Sequence, residues 1–151
     1  MEFVDQKLLG RAARYCAMEE QCVSSVKKKL SEWGADREMA DLIVDYLVEN
    51  KYIDEHRYVR SFCEGKIRLQ RWGRCKVAYH LRQKGVSDAL VSEGLAAVHQ
   101  QEYEDILHHV AEAKWQSCKG NSEFERKRKL MAFLLSRGFE SDLVRRVADE
   151  M

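Results

Sequence analysis

The sequence predicts an all-α protein made of three tandem three-helix repeats that form an elongated, curved rod. The first observation is a pattern in which an apolar residue, a leucine and a glycine follow one another at intervals of four residues. Its glycines recur after 51 and then 53 residues, so one supersecondary unit is used three times. The three copies are Val26, Leu30 and Gly34; Val77, Leu81 and Gly85; and Leu130, Leu134 and Gly138.

Two further observations favour helices throughout the chain. None of the 151 residues is proline, and apolar residues recur at helical spacing, as in Tyr103, Leu107, Val110 and Ala111. No segment sustains the alternation of a strand. A repeat of about fifty residues has a thin core, and stacked neighbours would bury more apolar surface than each unit could alone. We therefore expect several small cores arranged in series.

Capping residues define the boundaries of the predicted helices. Each repeat glycine can adopt the left-handed conformation that ends a helix. Asp36, Ser87, and either Glu140 or Ser141 then lie where the next helix needs an acceptor for its free amides.

The third repeat contains one more boundary. Gly120, followed by Ser122 and Glu125, predicts a helix end and then a capping box. The predicted helices cover 7–19, 21–33, 36–49, 54–69, 73–84, 87–98, 101–117, 122–137 and 140–150. Grouped by three, they predict domains at 1–50, 51–99 and 100–151, of which the second is basic.

The net charge of +1 hides a strongly uneven distribution. Residues 57–84 carry nine lysines and arginines against one acid, a local charge of +8, and the rest of the chain is therefore acidic. Arginine predominates, and its planar guanidinium suits phosphates and carboxylates. This pattern favours a surface for nucleic acid or for an acidic protein, and the alternative is a merely solvated face. Its predicted binding residues are Arg57, Lys66, Arg68, Arg71, Arg74, Lys76, Arg82 and Lys84.

A second basic cluster follows two acids, Glu123 and Glu125. Four consecutive residues of a helix cannot all face one partner, so this cluster is either a secondary binding site or a solvated face. In the first basic segment, Trp72 either stacks on a base or closes the bundle core. The second cluster consists of Arg126, Lys127, Arg128 and Lys129.

We expect no catalytic activity, no cofactor and no metal site. The sequence contains no phosphate-binding loop, dinucleotide fingerprint, zinc-protease motif or nucleophile elbow. His108 and His109 are adjacent, so they point about 100° apart on a helix and cannot share a metal ion.

The cysteines and the hydropathy predict a cytoplasmic protein with no membrane partner. The five cysteines are odd in number and widely spaced, which indicates reduced thiols, and Cys63 is expected to be a small core residue. No apolar run approaches the roughly 18 residues of a membrane span, and the N-terminus lacks the pattern of a signal peptide.

Several short motifs, taken in order, resemble the RecX family of bacterial regulators of the RecA recombinase. Their order, their spacing and the threefold unit extend the resemblance over nearly the whole chain. The motifs are Tyr52, Ile53, Asp54 and Glu55 with Arg57 and Tyr58; Gly73 and Arg74; Leu81 with Lys84, Gly85 and Val86; and Arg137, Gly138 and Phe139.

The resemblance implies a regulator without catalytic activity that acts in homologous recombination, DNA repair and the SOS response. Such a protein binds within the helical groove of a RecA filament on single-stranded DNA and restrains ATP hydrolysis and strand exchange. The resemblance also implies binding to single-stranded DNA and, more weakly, to duplex DNA. We expect this chain to act as a monomer.

Two other functions stay open at this point. One is a helical DNA-binding module that uses the helix after each repeat glycine as its reader. The segment from Ser87 to Val98 contains Asp88 and Glu93 but no Lys or Arg, which disfavours that function. The other is a general protein-interaction scaffold unrelated to recombination.

Overall fold

The computed structural model describes residues 3–151, which fold into nine α-helices, one π-helical segment and no β-strand. This confirms the predicted fold class, and each predicted helix has an observed counterpart with small differences at its ends. The π-helical segment Gly65–Leu69 directly follows α4. The helices are α1 (Gln6–Met18), α2 (Val23–Glu32), α3 (Arg37–Glu49), α4 (Glu55–Glu64), α5 (Arg74–Gln83), α6 (Asp88–Leu95), α7 (Gln100–Ser117), α8 (Glu123–Ser136) and α9 (Ser141–Asp149).

The repeated leucine and glycine form the C-terminal caps of α2, α5 and α8. Gly34, Gly85 and Gly138 have φ angles of 94°, 79° and 97°. The amide of the residue after each glycine donates to the carbonyl of the repeat leucine, at 2.9, 3.1 and 3.2 Å respectively. This geometry is the Schellman motif, which leaves the helix in one defined direction. We refer to α1–α3, α4–α6 with the π-helical segment, and α7–α9 as the first, second and third helical groups, and the third helix of each group therefore starts in the same way.

Three predicted N-caps are also confirmed. The side chains of Asp36, Ser87 and Ser122 each accept a hydrogen bond from the amide three residues later, at 2.8, 3.3 and 3.1 Å. Glu140 occupies the N-cap position of α9, but its side chain accepts no bond from that helix. Its carboxylate points instead toward α5 and α7.

Apolar side chains form two cores among the described residues, and not one core per repeat. The first lies within α1–α3 and the segment after α3, and includes Val26, Leu30 and Ile43. The second extends through α4–α9 and also takes in Cys22. Cys63 is fully buried there, as predicted, and burial raises the pKa of its thiol to about 12. The second and third helical groups thus share one apolar core, because neither thin bundle can bury its apolar side chains alone.

The molecule is elongated. Its solvent-accessible surface is 9470 Å², whereas a compact monomer of this mass would expose about 8,000 Å². The excess surface is expected for helical bundles stacked in series. The boundaries at 1–50, 51–99 and 100–151 stay a prediction, and residues 1 and 2 of the first repeat lie outside the described part. None of the helices between residues 3 and 151 has the length and apolar character needed to cross a bilayer.

Two glycines bring the second and third helical groups into direct backbone contact. The amide of Gly73 donates to the carbonyl of Arg137 at 2.8 Å, and the amide of Cys75 donates to the carbonyl of Gly138 at 2.9 Å. A Cβ atom on Gly73 would lie 2.1 Å from the carbonyl carbon of Gly138. Only glycine at position 73 allows the two chain segments to approach this closely.

The predicted helix 54–69 differs from the structure in its last turns. The amide of Gln70 donates to the carbonyl of Gly65 at 3.2 Å, which is the i to i+5 spacing of a π-helix. Ile67 stays fully buried while Leu69 is 84% exposed. Two residues after the end of this segment, Arg71 has a left-handed φ of 57°. Apolar periodicity does not distinguish a wide turn from a regular one, so the sequence did not predict it.

Replacing Gly73 by alanine is expected to lower the free energy of unfolding by about 3 kcal/mol, because the new methyl group collides with backbone that cannot move aside. Gly65→Ala is the matched control. A Cβ on Gly65 meets nothing within 4 Å, and its helical φ of −65° suits alanine. This control should raise stability by about 0.5 kcal/mol. Chemical denaturation followed by circular dichroism measures both, and equal stabilities would contradict the assigned contact.

Candidate functional site

Four of the eight basic residues predicted from the middle segment are ion-paired within the protein. Two of these pairs are exposed and connect neighbouring elements. Nε of Arg57 lies 2.6 Å from Oε1 of Glu20, which joins α4 to the turn between α1 and α2. Nε of Arg82 lies 2.9 Å from Oδ1 of Asp88, which joins α5 to α6. Both guanidinium groups are thus partly neutralised before any partner binds.

Arg68 forms the third pair, between the π-helical segment and α7. Its Nε and Nη2 atoms donate to the two carboxylate oxygens of Glu102 at 2.9 and 3.1 Å. This hydrogen bonding raises the pKa of Arg68 and lowers the pKa of Glu102, so both groups stay charged at neutral pH. A fork of two bonds fixes the orientation of the guanidinium. Arg68 therefore helps to hold the second helical group against the third.

Arg74 forms the fourth pair and is the least exposed of the four arginines. Its Nη1 lies 3.1 Å from Oε2 of Glu140, and its guanidinium carbon lies 3.8 Å from the centre of the Tyr103 ring. The Tyr103 hydroxyl accepts from the Arg74 amide at 2.9 Å and donates to Glu140. Burial, followed by the bond to Glu140, raises the pKa of Tyr103, so the phenol keeps its proton. No local sequence signal linked these three residues.

The other four of the eight predicted residues have no carboxylate within 4 Å in the described part of the chain, whereas Arg60 of the same segment pairs with Glu64 at 3.1 Å. Lys66 and Lys76, together with Trp72, form what we term the Trp72 surface, and Arg71 directly precedes Trp72 in the chain. The ammonium groups of Lys66 and Lys76 lie 4.7 and 4.3 Å from the centre of the Trp72 ring. Lys84 is eight residues beyond Lys76, about 12 Å along α5. The positive charge of the Trp72 surface is therefore available to phosphates or carboxylates.

Trp72 contacts both the core and these lysines. Its partly buried ring packs against the second core, and the imidazole of His80 lies 4.8 Å from it between ring centres. Cation–π attraction to Trp72 positions the ammonium groups of the two flanking lysines. Their N–H donors stay available for a ligand.

The second basic cluster lies at the start of α8, whereas Gly138 and its contact with Gly73 follow the end of that helix. The 14 residues of α8 span about 20 Å, so the two predicted clusters are not brought together. The guanidinium of Arg126 caps the end of α7 by donating to the carbonyls of Cys118 and Trp115 at 3.0 and 2.6 Å. Arg126 thus contributes mainly to the local fold.

The other three members of the cluster differ in their contacts. Lys129 donates to the carbonyl of Lys119 at 2.9 Å, and Lys127 lies 3.7 Å from a carboxylate oxygen of Glu123. Arg128 is exposed and has no carboxylate within 4 Å in the described part of the chain.

The two adjacent histidines do not form a pair. His108 lies 2.8 Å from the carbonyl of Glu104 through Nδ1 and 3.0 Å from Glu150 through Nε2. Within residues 3–151, His, Cys, Asp and Glu side chains nowhere form a group of three able to hold a metal ion.

Comparison with known proteins matches two adjacent parts of the chain to family models. Residues 54–95 match the model for the second three-helix domain of RecX, and residues 101–148 match the model for its third three-helix domain. The regulatory protein RecX of Prosthecochloris aestuarii is 31% identical over 148 residues, which cover 97% of this chain and 94% of that protein. The chain belongs to the RecX family.

Further relatives agree with this assignment. The regulatory protein RecX of Clostridium tetani is 33% identical over 147 residues, covering 96% of this chain and 67% of that protein. A crystal structure of a regulatory protein RecX superposes with a TM-score of 0.86 at 24% identity, over 95% of this chain and 70% of that one. RecX from Lactobacillus salivarius superposes with a TM-score of 0.84 at 19% identity, over 95% and 94% of the two chains. These structures share the three-helix architecture described above.

In this RecX-family protein, Tyr103→Phe is expected to lower the free energy of unfolding by about 2 kcal/mol, because the Arg74 amide and the Glu140 carboxylate lose a shared partner. Tyr79→Phe is the matched control, since Tyr79 is 60% exposed, and it should change stability by less than about 0.5 kcal/mol. Thermal and chemical unfolding measure both variants. A Tyr103→Phe protein as stable as the control would show that these hydrogen bonds do not contribute to the free energy of unfolding.

Proposed function

We propose that this protein regulates the RecA recombinase by binding its filament on single-stranded DNA and restraining ATP hydrolysis and strand exchange. The observation that carries the proposal is the alignment of nearly the entire chain with proteins named regulatory protein RecX. An alignment over 97% of this chain includes residues of all three helical groups. The proposal assigns the protein no catalytic step and no cofactor, and it places the protein in the cytoplasm as a monomer.

The elongated body supports filament binding. A rod made of consecutive helical groups can lie along a groove and contact more than one protomer of a helical polymer. The first group is held to the second by Arg57 and Glu20, and by a 2.7 Å hydrogen bond from the Ser24 hydroxyl to the carbonyl of Lys84. These polar contacts keep the axis of the rod defined while leaving the first core separate from the second.

The Trp72 surface is the part of the molecule best suited to phosphates or to acidic protein surfaces. Its cations are not neutralised by carboxylates, whereas Arg57, Arg68, Arg74 and Arg82 already have partners. We propose this surface as the principal contact with the nucleoprotein filament. Lys84 and Arg128 are proposed as auxiliary contacts. Because only four of the nine cations of residues 57–84 lack a carboxylate partner among the described residues, binding to DNA alone should be weak, and weaker for duplex than for single strands.

A helical DNA reader has less support. Such a module would place the helix after each repeat glycine in the major groove. In the second group that helix is α6, which contains no Lys or Arg and begins with Asp88. An acidic helix would be repelled by the phosphates on both sides of the groove.

Titration of the protein into a RecA ATPase assay on single-stranded DNA tests the proposal. The wild-type protein should lower the rate of hydrolysis. Lys66→Glu combined with Lys76→Glu should raise the half-maximal concentration about tenfold or more, because reversed charges repel the phosphates or carboxylates of the filament. The effect of the wild-type protein should also weaken as salt rises.

Lys7→Glu combined with Lys28→Glu is the matched control, since it makes the same charge change on exposed positions of α1 and α2. The control should inhibit like the wild type. Absence of inhibition by the wild type at any ratio would reject the proposed function and favour a scaffold unrelated to recombination. Equal loss in both double variants would place the contact elsewhere on the rod.

A further inference from the structure

A second basic surface lies in a groove between α7 and α8, on the third helical group. The groove has a volume of about 470 Å³ and an apolar floor formed by Val110, Ala113 and Phe133. Ala113 is exposed and Phe133 is partly buried, so the floor is open to a ligand. The sequence provided no sign of this groove, because its walls come from residues far apart in the chain.

Three cations line the same groove, namely Arg71, Lys114 and Arg137. None of them has a carboxylate within 4 Å among the described residues, although acidic residues neutralise many other arginines of this chain. Arg137 donates to the carbonyls of Gln70 and Arg71. Both bonds use its Nη2 atom, which leaves Nη1 for another acceptor.

The backbone of Arg71 supports a binding role for its side chain. Its φ of 57° is left-handed, and glycine is the usual residue at such a position after a helix. A non-glycine residue there costs about 1 kcal/mol. The bond from Arg137 to the Arg71 carbonyl, at 3.1 Å, helps to hold this conformation. Arginine at position 71 therefore places a long, charged side chain beside the groove, although glycine would adopt this backbone conformation without strain.

We propose that the α7–α8 groove binds an acidic segment of a protein partner, with an apolar side chain seated on Phe133 and carboxylates paired with the three cations. The charge of the groove is complementary to such a segment, and its floor has room for one apolar side chain. Arginine matches carboxylates with two parallel bonds, which also orients the segment.

A single-stranded nucleic acid fits the groove less well. Strand-binding grooves stack successive bases on exposed aromatic rings. Among the described residues that line the groove, Phe133 is the single aromatic one. The apolar floor thus offers no series of stacking platforms.

The inference goes beyond the proposed function and depends on no property of the recombinase. The probe is a fluorescein-labelled synthetic peptide with one leucine flanked by glutamates in a glycine and serine frame. Fluorescence anisotropy with the full chain should give a dissociation constant below about 1 mM. A peptide with lysine for glutamate, and another with serine for leucine, should bind at least about tenfold more weakly.

Ala113→Glu is the principal variant, because it places a carboxylate on the floor of the groove at an exposed helical position that tolerates the change. It should weaken binding of the acidic peptide about tenfold or more. Ala17→Glu, near the exposed end of α1, is the matched control and should bind like the wild type. A second variant, Arg71→Asn with Lys114→Gln, removes two cations and keeps a residue that tolerates the left-handed backbone.

Backbone amide shifts of the wild-type protein, followed by NMR as the peptide is added, should move at Ala113 and Phe133. Two outcomes would overturn the proposal directly: no peptide binding at 1 mM, or equal loss of binding in Ala113→Glu and Ala17→Glu. A third would be displacement of the peptide from the groove by oligothymidylate at a concentration lower than that of the peptide. The last result would assign the groove to nucleic acid. The ATPase test described above does not depend on any of these results.

Discussion

The direct backbone contact between Gly73 and Gly138 is the constraint on which the arrangement of α4–α9 depends. Two backbone hydrogen bonds, from the amides of Gly73 and Cys75, join the start of α5 to the cap of α8. A Cβ on either glycine would lie closer than 2.5 Å to atoms of the facing segment. Because the backbones meet without side chains between them, the second and third helical groups share one core and do not pack as separate units.

The same contact determines where the charged side chains lie. Arg71 and Trp72 precede Gly73 directly, so their positions follow from where this turn meets the third group. Arg74 follows it and is drawn toward Glu140 and Tyr103. On both sides of this turn the basic segment therefore contains arginines that close the junction between the two groups, Arg68 and Arg74, and lysines that have no carboxylate partner among the described residues, Lys66 and Lys76. Both the Trp72 surface and the α7–α8 groove border this turn.

Ion pairs within the protein make the unpaired basic surface smaller than the sequence suggests. A local charge of +8 predicts a continuous basic surface. Several arginines of this segment, however, form ion pairs with Glu20, Glu102, Glu140 and Asp88. The acidic remainder of the chain is thus partly an internal counter-charge. What stays unpaired is a smaller set of lysines and arginines near the junction, which favours selective contact with a nucleoprotein surface over strong binding to free DNA.

The fold class, the helices and the threefold unit could be derived from the sequence, because periodicity and capping act between residues a few positions apart. The pattern that ends in Gly34, Gly85 and Gly138 is a local hydrogen-bonded cap, and its geometry needs no distant partner. The tertiary structure alone decided which arginines are neutralised, since Arg68 and Arg74 meet acids 34 and 66 residues away. It also decided the π-helical turns, the shared core and the groove, because each depends on how helical groups pack together, and packing leaves no short-range signature in the chain.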